Sequence, residues 1–150
     1  MACNTLTVNL ANIEVDWDGI MLQDGLADDP SALALEFTGD DVEIKVSATG
    51  KFGIVYTNNN TKGELTGIFN NGTPVMAKLR DIMFNNFARR GDLEIRDLLN
   101  GETFTLACAG FMKRAPMTWG NNSDGTSECK WNFTSVEGYV GATVLQDPEA

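Results

Sequence analysis

The sequence predicts a mainly β fold, a sandwich or barrel of antiparallel strands with one flanking α-helix, and three observations predict it. Apolar and polar residues alternate in short runs broken by turn formers, the pattern of half-buried strands. A single segment, over about residues 73–90, instead carries apolar residues at helical spacing. The length of 150 residues, with 43% apolar and 21% charged, suits one folded domain around one core, spanning 1–150 with flexible tips at both ends.

The first clear strand follows Asp40 and Asp41. Val42, Ile44, Val46 and Ala48 share one side and Glu43, Lys45, Ser47 and Thr49 the other, so one face is expected dry and the opposite face wet. Gly50 turns the chain into a second strand through Phe52, Ile54 and Tyr56, and Asn58 to Gly63 is a polar loop of strong turn formers. Glu64 to Asn71 reads as another strand. Thr73 then suits a helix N-cap and Pro74 the first helical position. Val75, Met76, Leu79, Ile82, Met83 and Phe87 form the apolar stripe that should pack on the sheet. Arg89 and Arg90 favour the negative pole of the helix, and Gly91 ends it.

Beyond the helix come a strand at Leu93 to Leu98, a turn at Asn100-Gly101 and a strand at Thr103 to Met112 in which Phe104, Leu106 and Cys108 share a face. A loop through Pro116, Gly120 and Gly125 leads to Glu128–Ser135. There Cys129, Trp131 and Phe133 face one side while Glu128, Lys130, Asn132 and Thr134 face the other. The tail from Gln146 to Ala150 is expected to fray.

Charge and residue inventory exclude several function classes. With 21 acidic against 11 basic residues the formal charge is -10, which repels phosphate backbones and argues against nucleic-acid binding. No apolar run reaches the roughly 18 residues of a membrane helix, and Met1 to Asn12 lacks the features of a signal peptide. Three cysteines without CxxC spacing and no histidine argue against a zinc site and for reduced thiols. Cys108 and Cys129 are both expected in the core.

Without histidine the usual general base and the familiar serine or cysteine triads are missing, so no enzyme, cofactor or metal is expected. Asp16-Trp17-Asp18-Gly19 has the residue types of a carboxylate pair but is better read as a turn before Ile20, since it lacks the further ligands of a calcium loop. Gly50-Lys51-Phe52-Gly53 lacks the spacing of a phosphate-binding loop. The N-x-[ST] triplets at Asn59, Asn71, Asn121 and Asn132 are chance occurrences in an Asn-rich chain. Trp17, Trp119 and Trp131 leave a carbohydrate-binding β-sandwich as an alternative.

From Asp16 to Gly141 the order of elements resembles the tube-forming structural proteins of contractile bacteriophage tails. The residues that carry the resemblance begin with Gly50-Lys51-Phe52-Gly53, the Asn-rich hairpin tip and Gly72-Thr73-Pro74 with Leu79. Asp97 with Gly101 comes next, then Ala107, Ala109 and Phe111 running into Lys113 and Pro116. Glu128, Trp131, Phe133, Gly138 and Gly141 complete it. The resemblance implies a virion subunit, assembled in the host cytoplasm, that forms hexameric rings. Inner strands would join one barrel across subunits, and rings would stack head to tail around a tape-measure protein and later conduct DNA.

The same resemblance implies sheath, baseplate and tail-terminator proteins as further partners, and leaves open a tube initiator or the ring of a secretion apparatus. If Val42, Ile44 and Val46 pack inward, then Glu43, Lys45 and Ser47 face the channel, with Glu64, Glu128, Lys130, Asn132 and Thr134 on the same wall.

Overall fold

The computed structural model describes residues 10–28, 32–38, 42–57, 61–117 and 125–141. Asp40, Asp41, the tip at 58–60, Cys3, Trp119 and the C-terminal tail lie outside the described residues. Ten strands and one helix follow in order: β1 (Ile13–Trp17), β2 (Ile20–Met21), β3 (Leu33–Phe37), β4 (Val42–Val46), β5 (Gly53–Thr57), β6 (Gly63–Asn70), α1 (Pro74–Asn85), β7 (Arg90–Asp97), β8 (Thr103–Lys113), β9 (Thr126–Phe133) and β10 (Ser135–Val140). Eight of these strands form one antiparallel sheet in the order β2-β1-β7-β8-β9-β6-β3, with β10 also pairing β8, and the sheet does not close on itself. Among the described residues, β4 and β5 pair only with each other.

Each ladder has a local cause. The alternation Ile13-Glu14-Val15-Asp16-Trp17 makes β1, and Asp18-Gly19, both with positive φ, turn it into β2 through a two-residue loop. On β6 and β9 the alternation is complete: Gly63, Leu65, Gly67 and Phe69 are buried opposite Phe133, Trp131, Cys129 and Ser127. Strand β8 is long enough for two partners on one edge, Gly110 and Phe111 pairing with β9 and Thr103 to Ala107 with β10. Between them Thr134 bridges to the Ala107 carbonyl through both its amide and its hydroxyl.

The core is aromatic. Trp17 of β1 meets Trp131 of β9 at 5.8 Å and Phe111 of β8 at 5.0 Å, and Phe69 of β6 meets Trp131 at 5.7 Å. On a flat sheet β1 and β9 would be about 14 Å apart at about 4.8 Å per strand. Their touching rings show that the sheet coils over its own inner face. Trp17 Nε1 donates to the Ala109 carbonyl at 2.9 Å, which ties β1 to β8 across β7.

Helix α1 begins where its sequence signals place it: the Thr73 hydroxyl accepts from the Met76 amide, with Pro74 next. Val75, Met76, Leu79, Ile82 and Met83 are buried in the aromatic core. The helix stops earlier than its periodicity predicts, at Asn85, with Asn86 capping. Phe87 therefore lies after the helix, half-buried and stacked on Phe111 at 6.3 Å with Arg114 over its other side at 4.4 Å. Arg89 does not sit at the helical pole, and Arg90 and Gly91 are already in β7. The cause is tertiary: an Arg89–Asp18 ion pair at 3.0 Å and pairing of Arg90 with Gly110 draw this segment into the sheet.

Two further expectations are corrected. Cys108 is exposed, not buried, because it is the extra residue of a β-bulge: Ala107 and Cys108 together oppose Asp92, and Cys108 has φ 52°. The bulge reverses the alternation, burying Ala107 and Ala109 in place of Cys108. The dry face of β4 is also absent within the chain. Val42, Ile44 and Val46 are 56–62% exposed, and Ala48 lies in the exposed turn.

Truncating Leu79 to Ala should destabilise the fold by about 2–5 kcal/mol, as deletion from a closed core does, and urea unfolding measures it. Burial pushes the Cys129 thiol up to about 12. Alkylation mapped by mass spectrometry at neutral pH should therefore label Cys108 and spare Cys129 until the protein unfolds.

Candidate functional site

Three surfaces stand out. The first is the outer face of β6 and β9, where Glu64 opposes Asn132, Thr66 opposes Lys130 and Ile68 opposes Glu128. Lys130 pairs with Glu128 at 3.7 Å on the same face. Beside these an open cleft of about 560 Å³ is lined by Thr38, Lys62, Glu64, Arg90, Asn132 and Thr134, among others. Glu36 of β3 opposes Glu64 directly, a like-charge pair on the same wall.

Arg90 dominates this cleft, and reading it as a helix-end charge missed that role. Its side chain crosses β8 over Gly110, where a Cβ would come within 2.8 Å of Arg90 Cγ and of the Arg89 carbonyl. From there Nη1 donates to the carbonyls of Cys108 at 2.9 Å and Asn132 at 3.2 Å, and Nη2 donates to Asn132 Oδ1 at 2.7 Å. The guanidinium is thus spent on holding β7, β8 and β9 together across the bulge.

The second surface is the β4–β5 hairpin, which carries Glu43, Lys45 and Ser47 on a two-stranded sheet separate from β6 and β9. Every described residue from Val42 to Thr57 is exposed. Val42, Ile44, Val46 and Val55 form one apolar side. The other bears Glu43 opposite Tyr56 and Lys45 opposite Ile54, with the Lys45 ammonium 5.5 Å from the Tyr56 ring centre. Ser47 closes the turn: its amide donates to the Phe52 carbonyl and its hydroxyl accepts from the Phe52 amide. Placing Glu43, Lys45 and Ser47 on a channel wall required Val42, Ile44 and Val46 in the domain core, and that premise does not hold within one chain.

The third surface was legible in the alternation of Ile13 to Trp17 and of Leu93 to Arg96, yet it was not singled out. On the outer face of β1 and β7, Glu14 opposes Arg96 and Asp16 opposes Glu94, with Asp92 and Asp18 alongside. Arg96 pairs with Glu14 at 2.6 Å and Glu94 at 3.3 Å. Among the described residues no three acidic or cysteine side chains converge as metal ligands, and no helix is long and apolar enough to cross a membrane. Trp17 and Trp131 are fully buried in the core, which removes both from any sugar-stacking surface.

The chain matches no protein-family model and no curated protein by sequence. Its fold does have solved relatives. A chain of the virion of a native gene transfer agent particle superposes with a TM-score of 0.56 at 12% identity, covering 88% of this chain and all of that one. A chain of the sheath-tube complex of the PVC extracellular contractile injection system, in its extended state, gives 0.53 at 10% identity, covering 91% and 92%. The fold is shared with chains of these particles. A chain from the sheath/tube terminator structure of the same injection system gives 0.55 at 11% identity, covering 93% of this chain and 100% of that one. At such identities what is shared is the chain path, over nearly the whole length of each partner.

Replacing Arg90 by Ala should lower stability by about 1 kcal/mol through loss of its hydrogen bonds. Gly110→Ala should cost more, about 1–3 kcal/mol, because the backbone of Arg89 must move. Both are read from urea midpoints.

Proposed function

We propose that the protein is a structural, non-catalytic subunit of a phage-type tail tube, in which hexameric rings stack into a hollow conduit for DNA. The observation that carries this reading is the β4–β5 hairpin: a pair of strands with one apolar side, exposed along its length and separate from the open sheet, is an assembly element waiting for a partner. Two-stranded hairpins are marginal alone in water, and an apolar surface this continuous marks a contact. The tube-like fold supplies the context. Its relatives come from a virion and a contractile injection particle, which supports a place in a virion tail.

Free edges support the same reading. Among the described residues β2 and β3 each pair along one side, and pairing between subunits into a larger barrel would remove those edges. The β6–β9 face, with Glu64, Glu128, Lys130, Asn132 and Thr134, then lines the channel. Lys130 on it pairs with Glu128 and Arg90 is engaged by carbonyls, so DNA meets few free cations there and slides without sticking. Sheath, tape-measure, baseplate and terminator proteins are the partners such a tube requires.

A ring that ends or starts a tube is the second reading, favoured by the likeness to a chain of a sheath/tube terminator structure. Electron microscopy of the purified protein separates the two: stacked tubes support the tube subunit, and single rings support the end ring. Monomers alone in sedimentation at high concentration defeat both. With tubes in hand, Glu64→Lys with Glu128→Lys should leave assembly intact while slowing genome ejection, measured as DNA release from reconstituted particles.

A further inference from the structure

We infer that the β4–β5 hairpin docks on the acidic β1–β7 face of a second copy of this chain, with Lys45 and Lys51 seated against Asp16 and Asp92. The inference rests on the assembly reading above and names the surface that receives the hairpin.

Charge is the first argument. The whole chain stands at -10, yet residues 42–57 carry two lysines against one glutamate. Lys51 is exposed in the turn beside Gly50, and Lys45 lies along the strand over Tyr56. A segment of net charge +1 on a protein of charge -10 has its complement on other copies of the same protein.

The receiving surface is equally specific. Glu14, Asp16, Asp18, Asp92 and Glu94 set five carboxylates against two guanidiniums, Arg96 and Arg89. Asp16 and Glu94 stand directly opposite each other on adjacent strands, a like-charge pair in which Arg96 already meets Glu94 at 3.3 Å and Asp16, among the described residues, accepts only the Gly19 amide, so the Asp16 side is where a further cation would gain most. Between them opens a cleft of about 310 Å³, lined by Asp16, Asp18, Asp92, Glu94 and Thr105. Its carboxylates do not converge as metal ligands. An ammonium on a long flexible stem suits it better than a bare ion. Met21, 39% exposed, borders the acidic face as the partner of Asp16 and offers apolar contact to the hairpin.

Topology favours another copy over the chain's own face. The hairpin springs from β3 and β6 at one end of the strand order, whereas the acidic face belongs to β1 and β7 near the other end. No residue of the hairpin is buried by its own chain. Contact between two different surfaces of identical subunits is heterologous, the kind that propagates a stack.

The test is a charge swap in the full-length protein. Lys45→Glu with Lys51→Glu, and separately Asp16→Lys with Asp92→Lys, should each raise the concentration needed for assembly at least tenfold in sedimentation velocity. Both sets combined in one chain should restore it. Circular dichroism and urea midpoints check that each variant folds, and Asp92→Lys alone serves if the double receptor variant does not. Assembly by the reversed hairpin at the wild-type concentration overturns the inference, as does a combined variant no better than the single sets. In those cases the wild type still assembles, so the tube reading stands. A wild type that stays monomeric overturns both together.

Discussion

The contact between Trp17 and Trp131 is the constraint on which the rest of the architecture depends. These rings come from strands three positions apart in the sheet and touch only because the sheet coils, with Phe69 and Phe111 completing the cluster. Aromatic pairs in tilted and edge geometries add to the large apolar area they remove from water. The helix then has a definite floor: Met76, Leu79 and Met83 close the open side of the same cluster. Coiling also separates the molecule's surfaces, because the outer face of β1–β7 and the outer face of β6–β9 no longer point the same way.

The bulge at Cys108 is the second organising feature. One extra residue lets β8 keep its inner face buried on both sides of the kink while its edge changes partner from β10 to β9. The irregular backbone leaves carbonyls facing outward, and Arg90 satisfies them from across Gly110. A cation that reads as a surface charge is in this way a structural clamp. With its donors already pointing at protein oxygens, this arginine offers few of them outward.

The hairpin obeys a different rule from the body. Its strands pair with each other through the turn closed by Ser47, but every described side chain from Val42 to Thr57 remains exposed. Apolar residues left in water are unfavourable for a monomer and favourable once a neighbour covers them. In the assembly proposed above, stability of this segment would come from the neighbour, whereas stability of the coiled sheet belongs to the chain itself.

The sequence by itself determined the mainly β class, the start of α1 at Thr73 and Pro74, the buried alternation of Cys129, Trp131 and Phe133, and the turn at Asp18-Gly19. All of these follow from short-range causes: a capping hydroxyl, a pleat of period two, a residue pair that tolerates positive φ. Only the tertiary structure decided the rest. It ended the helix at Asn85 because Arg89 and Arg90 have partners far away in the chain, on Asp18 and Gly110. It turned Cys108 outward because a bulge is a relation between two strands and leaves no periodic mark on one. Val42, Ile44 and Val46 alternate as well as any core strand, yet they lie in solvent. A pattern records which side of a strand avoids water, and only the packing of distant residues decides whether the chain itself or another molecule provides the cover.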